Sequence, residues 1–459
     1  MTSSPRHVAY RALTAVEQGG AFTNLVLQKA LQQSGLDPRN KALATEIVYG
    51  TIQRKRSLDA LLTLYLRRPL AELDPQILTI LRMTAYQLGF LDRIPAYAAI
   101  HDAVELTKQV QPRAAGFVNG VLRSFDRDPK SAEQRLEALA QKLTGFADRM
   151  GVQHSYPTWL VQALADVYGQ ARTVSILEAC NRRAHLSVRV NTLKENREHL
   201  LDTLANEFPG GAEASPVSPV GIRLNRGLDV EQWPLYQTGA VSVQDEGAML
   251  IAPLFGTLAP GAKVLDMCAA PGSKTTHIAQ MQRDMGQVVA VDIHEHKLRL
   301  LEKAAKRLGL GSITTLAMDA RDLDDDPKQL ASYDAVLLDA PCTGFGVLRH
   351  RPDIRWRRTP SDVASLQDLQ VELLRTAARV VRPLGTIVYS TCTLLPEENE
   401  QVVQTVAADE SLQLVVEDIR PYLPEAVRSF AHEGGIGLTL TPELFQTDGF
   451  YMARLRKKG

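Results

Sequence analysis

Two cysteines that follow apolar, strand-like runs offer the strongest chemistry in this chain. Cys342 lies just after Asp339, at the end of the run Tyr333–Leu338, and Cys392 lies just after the run that ends at Tyr389. The carboxyl ends of parallel strands in an α/β sheet lie at the same edge, so we expect both thiols at that edge. A free cysteine more often packs as a small apolar residue, but this placement at strand ends argues against simple packing for both thiols.

A loop of small residues after another apolar run predicts a site for an anionic group. The run Lys263–Met267 is followed by seven small or polar residues and then by a helix-like segment. Backbone N–H groups at a helix N-terminus bind carboxylates and other anions. We expect Cys268 itself to pack in the loop rather than to react. The candidate cofactor-binding residues of the loop are Cys268, Ala269, Ala270, Pro271, Gly272, Ser273 and Lys274.

Acidic residues follow the next two apolar runs. Asp292 follows Val288–Val291 and Asp319 follows Ile313–Ala317. Asp292 can accept both ribose hydroxyls of a nucleoside, and Asp319 can accept an adenine amino group. The alternative for Asp292 is a helix N-cap. Phosphate-rich cofactors fit poorly, since the chain has no Gly-x-x-x-x-Gly-Lys-Ser/Thr loop and this turn lacks Gly-x-Gly-x-x-Gly. The pattern favours S-adenosyl-L-methionine, which carries an adenosine and one carboxylate.

The elements that position these residues alternate between strands and helices after Gln244. Near-continuous apolar strands separated by helices predict a buried, mainly parallel sheet covered on both faces. We therefore predict a catalytic α/β domain over residues 244–459. Its candidate strands are Lys263–Met267, Val288–Val291, Ile313–Ala317, Ala335–Leu338, Gly385–Ser390, Gln413–Val416 and Phe450–Leu455.

Two other domains precede this one. Helical periodicity and short loops over residues 5–125 predict an all-α bundle, which we assign to residues 1–130. Residues 131–243 are predicted to form a polar helical connector and a small α+β domain. The second of these begins with the β-rich run Leu186–Val190 and continues with the amphipathic segment Asn196–Glu207.

Composition sets the broad class of the protein. An apolar content of 45% and a charged content of 23% are ordinary globular values. Four dispersed cysteines without a Cys-x-x-Cys pair predict neither a zinc site nor a disulfide framework, so we expect no metal, and we expect Cys180 to pack. Met1 to Tyr10 contain no secretory pattern, and no stretch is apolar for long enough to cross a bilayer. We therefore expect a cytoplasmic protein without a membrane partner.

Charge is distributed unevenly although the formal net charge is zero. Residues 1–130 contain 17 Lys and Arg against 11 Asp and Glu. Such a regional excess can attract phosphates, although a solvated helical surface gives the same pattern. Charge alone therefore leaves a nucleic-acid partner open.

At its motifs the chain resembles the RNA cytosine-C5 methyltransferases. The resemblance covers roughly Gln244 to Leu455 and rests on four motifs. The segment from Leu186 to Leu193 resembles the small domain that precedes the catalytic domain in this family. The N-terminal helices, with Phe117 to Arg123, look like a NusB-type RNA-binding domain. The catalytic motifs are Asp266–Thr275 (DMCAAPGSKT), Asp339–Cys342 (DAPC), Ser390–Cys392 (STC) and Gly449-Phe450.

The resemblance implies a fold, a cofactor and a substrate. The expected fold is an all-α NusB-like bundle, a small α+β domain and a Rossmann-like adenosylmethionine-dependent methyltransferase domain. The architecture is similar to that of bacterial 16S ribosomal RNA methyltransferases, which implies 16S ribosomal RNA or a small-subunit assembly intermediate as the partner. We expect a monomer. The alternatives are the same chemistry on transfer RNA or DNA, and a catalytically silent RNA-binding assembly or transcription factor.

The resemblance also assigns roles to the thiols. It implies that Cys392 attacks carbon 6 of the cytosine and that Cys342 helps to release the adduct, an order that chemistry alone leaves open. It implies that Asp339 contacts the cytosine and the cofactor. Ser273 departs from the family, which usually has glycine there. Because serine enters positive φ less readily than glycine, this predicts a reshaped loop.

An arginine-rich run follows the Cys342 segment directly. It extends from Arg349 to Arg358 and contains the single aromatic residue Trp356. Arginines beside an aromatic ring can hold a nucleic-acid backbone and stack a base. The alternative is a solvated loop, but the position beside Cys342 favours contact with the substrate.

Overall fold

The computed structural model describes residues 4–19, 22–207, 210–225, 227–432 and 434–459. The chain divides into two compact units. The first comprises Met1–Asn181 and His350–Arg357, and the second comprises Arg182–Arg349 and Arg358–Gly459. The predicted domain limits at 130/131 and 243/244 stay predictions. Among the described residues, no helix combines the length and apolarity that a membrane span needs.

The first unit is helical, and one apolar core is formed by buried residues between Ala9 and Leu136. Proline at the first helical position and a capping side chain begin two of its helices. Asp37, immediately before Pro38, accepts a hydrogen bond from the Asn40 N–H. Asp74, immediately before Pro75, accepts one from the Gln76 N–H. Its helices are α1 (Pro5–Gly19), α2 (Thr23–Gln32), α3 (Pro38–Gln53), α4 (Lys55–Thr63), α5 (Pro75–Phe90), α6 (Ala96–Val110), α7 (Ala115–Asp126), α8 (Ala132–Ala140), α9 (Phe146–His154), α10 (Thr158–Tyr168) and α11 (Gln170–Asn181).

The arginine-rich run corrects one expectation. Its middle forms a short helix, Ile354–Arg357, that belongs to the first unit. The Trp356 indole N–H donates to the Ile52 carbonyl at 2.7 Å. Arg355 is fully buried, donates to the Ser155 carbonyl at 3.1 Å and lies 4.0 Å from the ring centre of Tyr156. The prediction that these side chains face a nucleic acid is therefore wrong, because they are used in packing this unit.

The second unit begins with a small antiparallel sheet that confirms the predicted β-run at Leu186–Val190. The strand order is β2-β3-β1-β4, and two helices accompany the sheet. The elements are β1 (Leu186–Val190), α12 (Arg197–Glu207), β2 (Ala212–Ala214), β3 (Gly221–Leu224), α13 (Pro234–Gln237) and β4 (Val241–Val243).

A buried carboxylate supports this small sheet. Glu246 is 0% exposed and accepts from His185 Nε2 at 2.8 Å, Ser187 Oγ at 2.9 Å and Arg223 Nε at 2.6 Å. Ser215 Oγ also donates to it. Burial alone would raise the pKa of Glu246, but these donors and the Arg223 charge lower it to about 2. The carboxylate is therefore ionised and fully engaged at neutral pH.

The rest of the second unit is a mixed eight-stranded sheet flanked by helices. Its order is β10-β12-β9-β8-β5-β6-β7, with β11 paired to β12. The elements are α14 (Glu246–Met249), β5 (Lys263–Asp266), α15 (Ser273–Met281), β6 (Gln287–Asp292), α16 (Glu295–Leu308), β7 (Ile313–Ala317), β8 (Tyr333–Asp339), α17 (Ile354–Arg357, in the first unit), α18 (Pro360–Val380), β9 (Val381–Thr391), α19 (Glu400–Ala407), β10 (Leu414–Glu417), α20 (Glu425–Arg428), β11 (Leu438–Leu440), α21 (Pro442–Phe445) and β12 (Phe450–Lys457).

All seven predicted strands are present, and the five neighbouring strands from β9 to the edge strand β7 run parallel. The pairs β7-β6, β6-β5, β5-β8 and β8-β9 are parallel, whereas β12 is antiparallel to β9. The carboxyl ends of five strands therefore meet at one edge. The prediction missed β11, because three residues are too short to show a strand pattern and pairing with β12 defines it.

Candidate active site

The two thiols lie side by side at this edge. Cys342 Sγ and Cys392 Sγ are 3.3 Å apart. The distance follows from the register, because Asp339 of β8 pairs with Ser390 of β9 and each thiol comes two or three residues later. The hydrogen bond with Cys392, with burial next, raises the pKa of Cys342 well above its usual value. Cys342 therefore holds its proton more firmly than a free thiol.

Asp339 lies at the end of β8 and joins the thiol edge to the predicted cofactor loop. Its Oδ2 accepts from Lys274 Nζ at 2.6 Å, and its Oδ1 accepts from Ser390 Oγ at 2.8 Å. Burial alone would lower the pKa of Lys274, but the charge and hydrogen bond of Asp339, together with the charges of Cys392 and Asp266, raise the net pKa. Lys274 is thus a cation at neutral pH, and the carboxylate of Asp339 has a fixed counter-ion.

The small-residue loop takes its shape from Gly272. Its φ is +102°, and a Cβ there would lie 2.4 Å from Leu301 Cγ, so only glycine fits. Ser273 is the first residue of α15 and is not among the described residues with positive φ. The expected reshaping of the loop by Ser273 is therefore wrong, since the special conformation falls one residue earlier.

A buried arginine from the small sheet holds the beginning of α15. Arg189 is 1% exposed, donates to the Ser273 carbonyl at 2.7 Å and to Thr276 Oγ1 at 3.1 Å. Burial, with Arg307 as a second cause, lowers the pKa of Arg189 to about 9. The small domain thereby supports the first turn of the helix that follows the loop. Local sequence patterns gave no signal for this contact, because Arg189 and Ser273 are far apart in the chain.

The two predicted cofactor acids lie at the ends of β6 and β7 and already bond to the nearby backbone. Asp292 Oδ2 accepts from the Ala270 N–H at 3.2 Å, and its Oδ1 accepts from the His294 N–H at 2.8 Å. The N-cap residue of α16 is His294, so the N-cap alternative for Asp292 is wrong. Asp319 Oδ2 accepts from the Arg321 guanidinium at 2.8 Å, and hydrogen bonding to Arg321 lowers its pKa.

Four carboxylates surround the thiol of Cys268. Burial raises its pKa well above the usual value, and the charges of Asp266, Asp339, Asp292 and Asp319 add to the increase in that order. Cys268 is therefore a neutral thiol, packed against the core of the large sheet. The acids that follow separate strands in the sequence thus converge on one point.

Asp266 is a site residue that we did not single out from the sequence. It ends β5, is 1% exposed, and its Oδ2 accepts from Thr275 Oγ1 at 2.6 Å. Its Oδ1 is buried without a hydrogen-bond partner among the described residues. Burial, with Asp339 as a further cause, raises the pKa of Asp266 to about 7. Its place as the first residue of the loop motif was the available signal.

The fold and the site together define a class of enzyme. A mainly parallel sheet, an acid-lined loop after the strand β5 and paired thiols at the same edge form the architecture of a methyltransferase.

Comparison with known proteins then identifies the family. The model of the family "16S rRNA methyltransferase RsmB/F" matches residues 256–456, the NusB family model matches 3–127, and an RsmF/B-like ferredoxin-like domain matches 156–231. A probable ribosomal RNA small subunit methyltransferase B of Bacillus subtilis is 37% identical over 100% of this chain and 99% of its own. The chain belongs to the 16S rRNA methyltransferase RsmB/F family.

Solved structures agree with the fold. The crystal structure of PH0851 covers 100% of both chains with a TM-score of 0.81 at 24% identity, which speaks to the fold alone. The crystal structure of NSun6 from Pyrococcus horikoshii with SFG has a TM-score of 0.56 at 25% identity, over 67% of this chain and 99% of that one. The prediction of a NusB-like bundle, a small α+β domain and a methyltransferase domain is confirmed.

Proposed function

We propose that this methyltransferase transfers a methyl group from S-adenosyl-L-methionine to carbon 5 of a cytosine in 16S ribosomal RNA, through a covalent adduct with Cys392. The observation that carries the proposal is the contact of two thiols, 3.3 Å apart, beside the Lys274–Asp339 pair. A methyl transfer to oxygen or nitrogen needs no second sulfur, whereas an adduct that must form and then break has a use for two.

The residues around the loop fit the cofactor. Asp266, Asp292, Asp319 and Asp339 offer acceptors and negative charge, and S-adenosylmethionine offers an ammonium, a sulfonium, ribose hydroxyls and an adenine amino group. When bound, it supplies an electrophilic methyl group. The neighbour NSun6 contains SFG, an analogue of this cofactor, which supports the proposal. We assign Asp292 to the ribose hydroxyls and Asp319 to the adenine, together with the loop Cys268–Lys274.

Cys392 and Cys342 divide the remaining work. The Cys392 thiolate forms a bond to carbon 6 of the cytosine, and an electron pair moves to carbon 5, which becomes nucleophilic. After methylation, the carbon 5 proton must leave so that the carbon 6–sulfur bond can break and return the electron pair to Cys392. We assign removal of this proton to Cys342, and we assign Asp339 to a hydrogen bond with the cytosine.

The electrostatics of the thiol pair support this order. The hydrogen bond with Cys392 is the largest cause of the raised pKa of Cys342, followed by burial and then by the charge of Cys392. A neutral Cys342 therefore donates a hydrogen bond that favours the Cys392 thiolate. Once Cys392 is bonded to carbon, its charge is gone and the pKa of Cys342 falls. The same pair thus favours attack by Cys392 first. Cys342 then gives its own proton to solvent and, as the thiolate, accepts the carbon 5 proton.

The substrate follows from the family and the N-terminal unit. The Bacillus subtilis relative is named for the small-subunit ribosomal RNA, and the NusB family model matches the residues with excess positive charge. We propose that these helices bind RNA and that the target cytosine leaves its stack to reach the thiols. Bisulfite sequencing of 16S ribosomal RNA from a deletion strain identifies the cytosine.

Single-cysteine variants test the covalent mechanism. Each is incubated with S-adenosylmethionine and unmodified 16S ribosomal RNA and run on a denaturing gel. Cys392→Ala should form no protein–RNA band and lose activity by about 10⁴-fold or more. Cys342→Ala should methylate and then accumulate the band, because release is slowed by about 10²-fold or more. Cys180→Ala, buried in the first unit, is the control and should match the wild type.

The other outcomes are equally informative. A band from Cys392→Ala and none from Cys342→Ala would exchange the two roles. Activity in both variants without any band would defeat the covalent mechanism. Retained cofactor binding without methylation of any ribosomal or transfer RNA would favour a silent RNA-binding factor.

A further inference from the structure

Two adjacent buried residues, Glu398 and Asn399, bond to the segments that carry the two thiols. The mechanism proposed above gives neither residue a role. Both are 0% exposed. Glu398 ends the short 3₁₀ turn Pro396–Glu398, and Asn399 is the N-cap residue of α19. Burying a carboxylate and an amide side by side is unfavourable unless their hydrogen bonds are satisfied, so their partners show what they hold.

Glu398 bonds directly to the residue after Cys342 and reaches the residue before it through Gln370. Its Oε1 accepts from the Thr343 N–H at 2.8 Å, and its Oε2 accepts from the Thr343 hydroxyl at 2.5 Å. Gln370 Nε2 donates to Glu398 Oε1 at 3.1 Å and to the Pro341 carbonyl at 2.8 Å. Thr343 is therefore held by the carboxylate directly, and Pro341 is held by it through the Gln370 amide.

Asn399 bonds directly to both neighbours of Cys392. Its Oδ1 accepts from the Thr391 hydroxyl at 2.5 Å, and its Nδ2 donates to the Thr393 carbonyl at 3.3 Å. The residues before and after Cys392 are thus both tied to one amide.

The two halves are joined to each other. The Thr343 and Thr393 hydroxyl oxygens are 2.7 Å apart. Because the Thr343 hydroxyl donates to Glu398, the Thr393 hydroxyl must donate to Thr343. The Tyr389 hydroxyl donates to the Glu398 carbonyl at 2.6 Å and anchors the dipeptide to β9. All the side chains that make these hydrogen bonds are buried, namely those of Thr343, Gln370, Tyr389, Thr391, Thr393, Glu398 and Asn399.

We infer that Glu398 and Asn399 are positioning residues for the two thiols, Glu398 for Cys342 and Asn399 for Cys392. The inference rests on the proposed covalent mechanism, in which the thiols serve different steps. A reacting atom displaced by about 1 Å can slow a step by roughly 10²-fold. Loss of the Glu398 contacts should therefore slow adduct release, whereas loss of the Asn399 contacts should slow adduct formation.

Isosteric variants separate these effects. Glu398→Gln places an amide N–H₂ where Thr343 donates, and Asn399→Asp places a carboxylate against the Thr393 carbonyl. Glu246→Gln is the matched control, since Glu246 is also 0% exposed and accepts from four side chains away from the thiols. Adduct formation and release are followed on denaturing gels with the full-length protein, S-adenosylmethionine and unmodified 16S ribosomal RNA.

Glu398→Gln should release the adduct roughly 10- to 100-fold more slowly than the wild type and form it at a similar rate. Asn399→Asp should form the adduct roughly 10- to 100-fold more slowly and release it at a similar rate. Glu246→Gln should leave the ratio of the two rates unchanged. A purely structural role predicts that all three variants lower both rates together, and that result would overturn the inference.

Two further variants keep the test decisive if either isosteric variant fails to fold by circular dichroism. Thr343→Val removes the hydroxyl from Glu398 and should slow release, and Thr391→Val removes the hydroxyl from Asn399 and should slow formation. Equal effects of these two variants on both steps would also refute the inference. Failure of the proposed function gives a different result. In that case Cys342→Ala accumulates no protein–RNA band, whatever the positioning variants do.

Discussion

The sheet edge has a thiol end, with Cys342 and Cys392, and a proposed cofactor end, with Asp292 and Asp319, and the two ends are built in different ways. At the cofactor end, Asp292 and Asp319 each accept from a group two residues away, on His294 and Arg321, and Asp292 has one more distant partner, the Ala270 N–H. At the thiol end, the partners are about 50 residues apart, as in Cys342 with Cys392. The cofactor acids are therefore held mainly by their own loops, and the thiols are held by the pairing of β8 with β9.

This difference determines how each end responds to change. Replacing an acid that is held by its own loop should weaken ligand binding but change the rest of the site little, because the loop backbone keeps its conformation. A thiol that depends on distant partners loses its position when any of them is altered. Asp339, in contact with both Lys274 and Ser390, is where the two ends meet.

The largest effect is expected at this junction. Lys274→Met leaves the Asp339 carboxylate without its cation, and breaking a buried pair in this way costs about 3–5 kcal/mol. Because 28% of the Asp339 side chain is exposed, we expect about 2–3 kcal/mol in the free energy of unfolding and loss of methyl transfer. Urea unfolding and an activity assay measure both. Lys263→Met, at the other end of β5, is the control. Equal losses of stability and activity in this variant would show that the effect of Lys274→Met does not come from its pairing with Asp339.

The next effect depends on pH. The pKa of Asp266 is raised to about 7 in the folded protein, above its unfolded value near 3.8. The folded state therefore binds this proton more tightly, and the stability gained from it is present at pH 5 and lost as the pH rises through 7. The wild type should lose about 2–3 kcal/mol more than Asp266→Asn between pH 5 and pH 8. Urea unfolding at both values measures this, and parallel curves would show that Asp266 is not protonated.

A smaller effect is expected for Asp292→Ala. Unpaired ribose hydroxyls cost about 1–3 kcal/mol, which corresponds to an increase of roughly 5- to 150-fold in the Kd for S-adenosylmethionine. Titration calorimetry gives this value directly. Asp322→Ala, an exposed acid on the neighbouring turn, should bind normally. Unchanged affinity in Asp292→Ala would show that Asp292 does not bind the cofactor.

The smallest effect is expected for Ser273→Gly. Since Ser273 lies in the first turn of α15 without positive φ, the change should alter the free energy of unfolding by about 0.5 kcal/mol or less. Gly272→Ala is the contrasting variant and should lose about 1–3 kcal/mol, because its Cβ meets Leu301. Thermal unfolding compares the two. A larger loss from Ser273→Gly would show that the serine side chain takes part in the loop.

The arginine-rich run shows where sequence reasoning failed. Its composition and its position after Cys342 matched a nucleic-acid contact, but Arg355 and Trp356 are packed into the helical unit. Composition cannot show this, because a guanidinium binds a phosphate and buried carbonyls through the same donors. Deletion of residues 1–125 would remove the Ile52 partner of Trp356, so the effect of such a deletion is not limited to RNA binding.

The sequence by itself determined seven strands of the large sheet, the small-residue loop and the acids that follow three of the strands, Asp292, Asp319 and Asp339. These features rest on apolar periodicity and on conformations within a few residues, which local sequence encodes. Only the tertiary structure decided the rest. The thiol contact, the Lys274–Asp339 pair, the raised pKa of Asp266 and the Glu398–Asn399 network all depend on burial and on residues from different strands and helices. Neither burial nor the neighbours of a buried group can be deduced from the chain order, because both arise only when the sheet is paired.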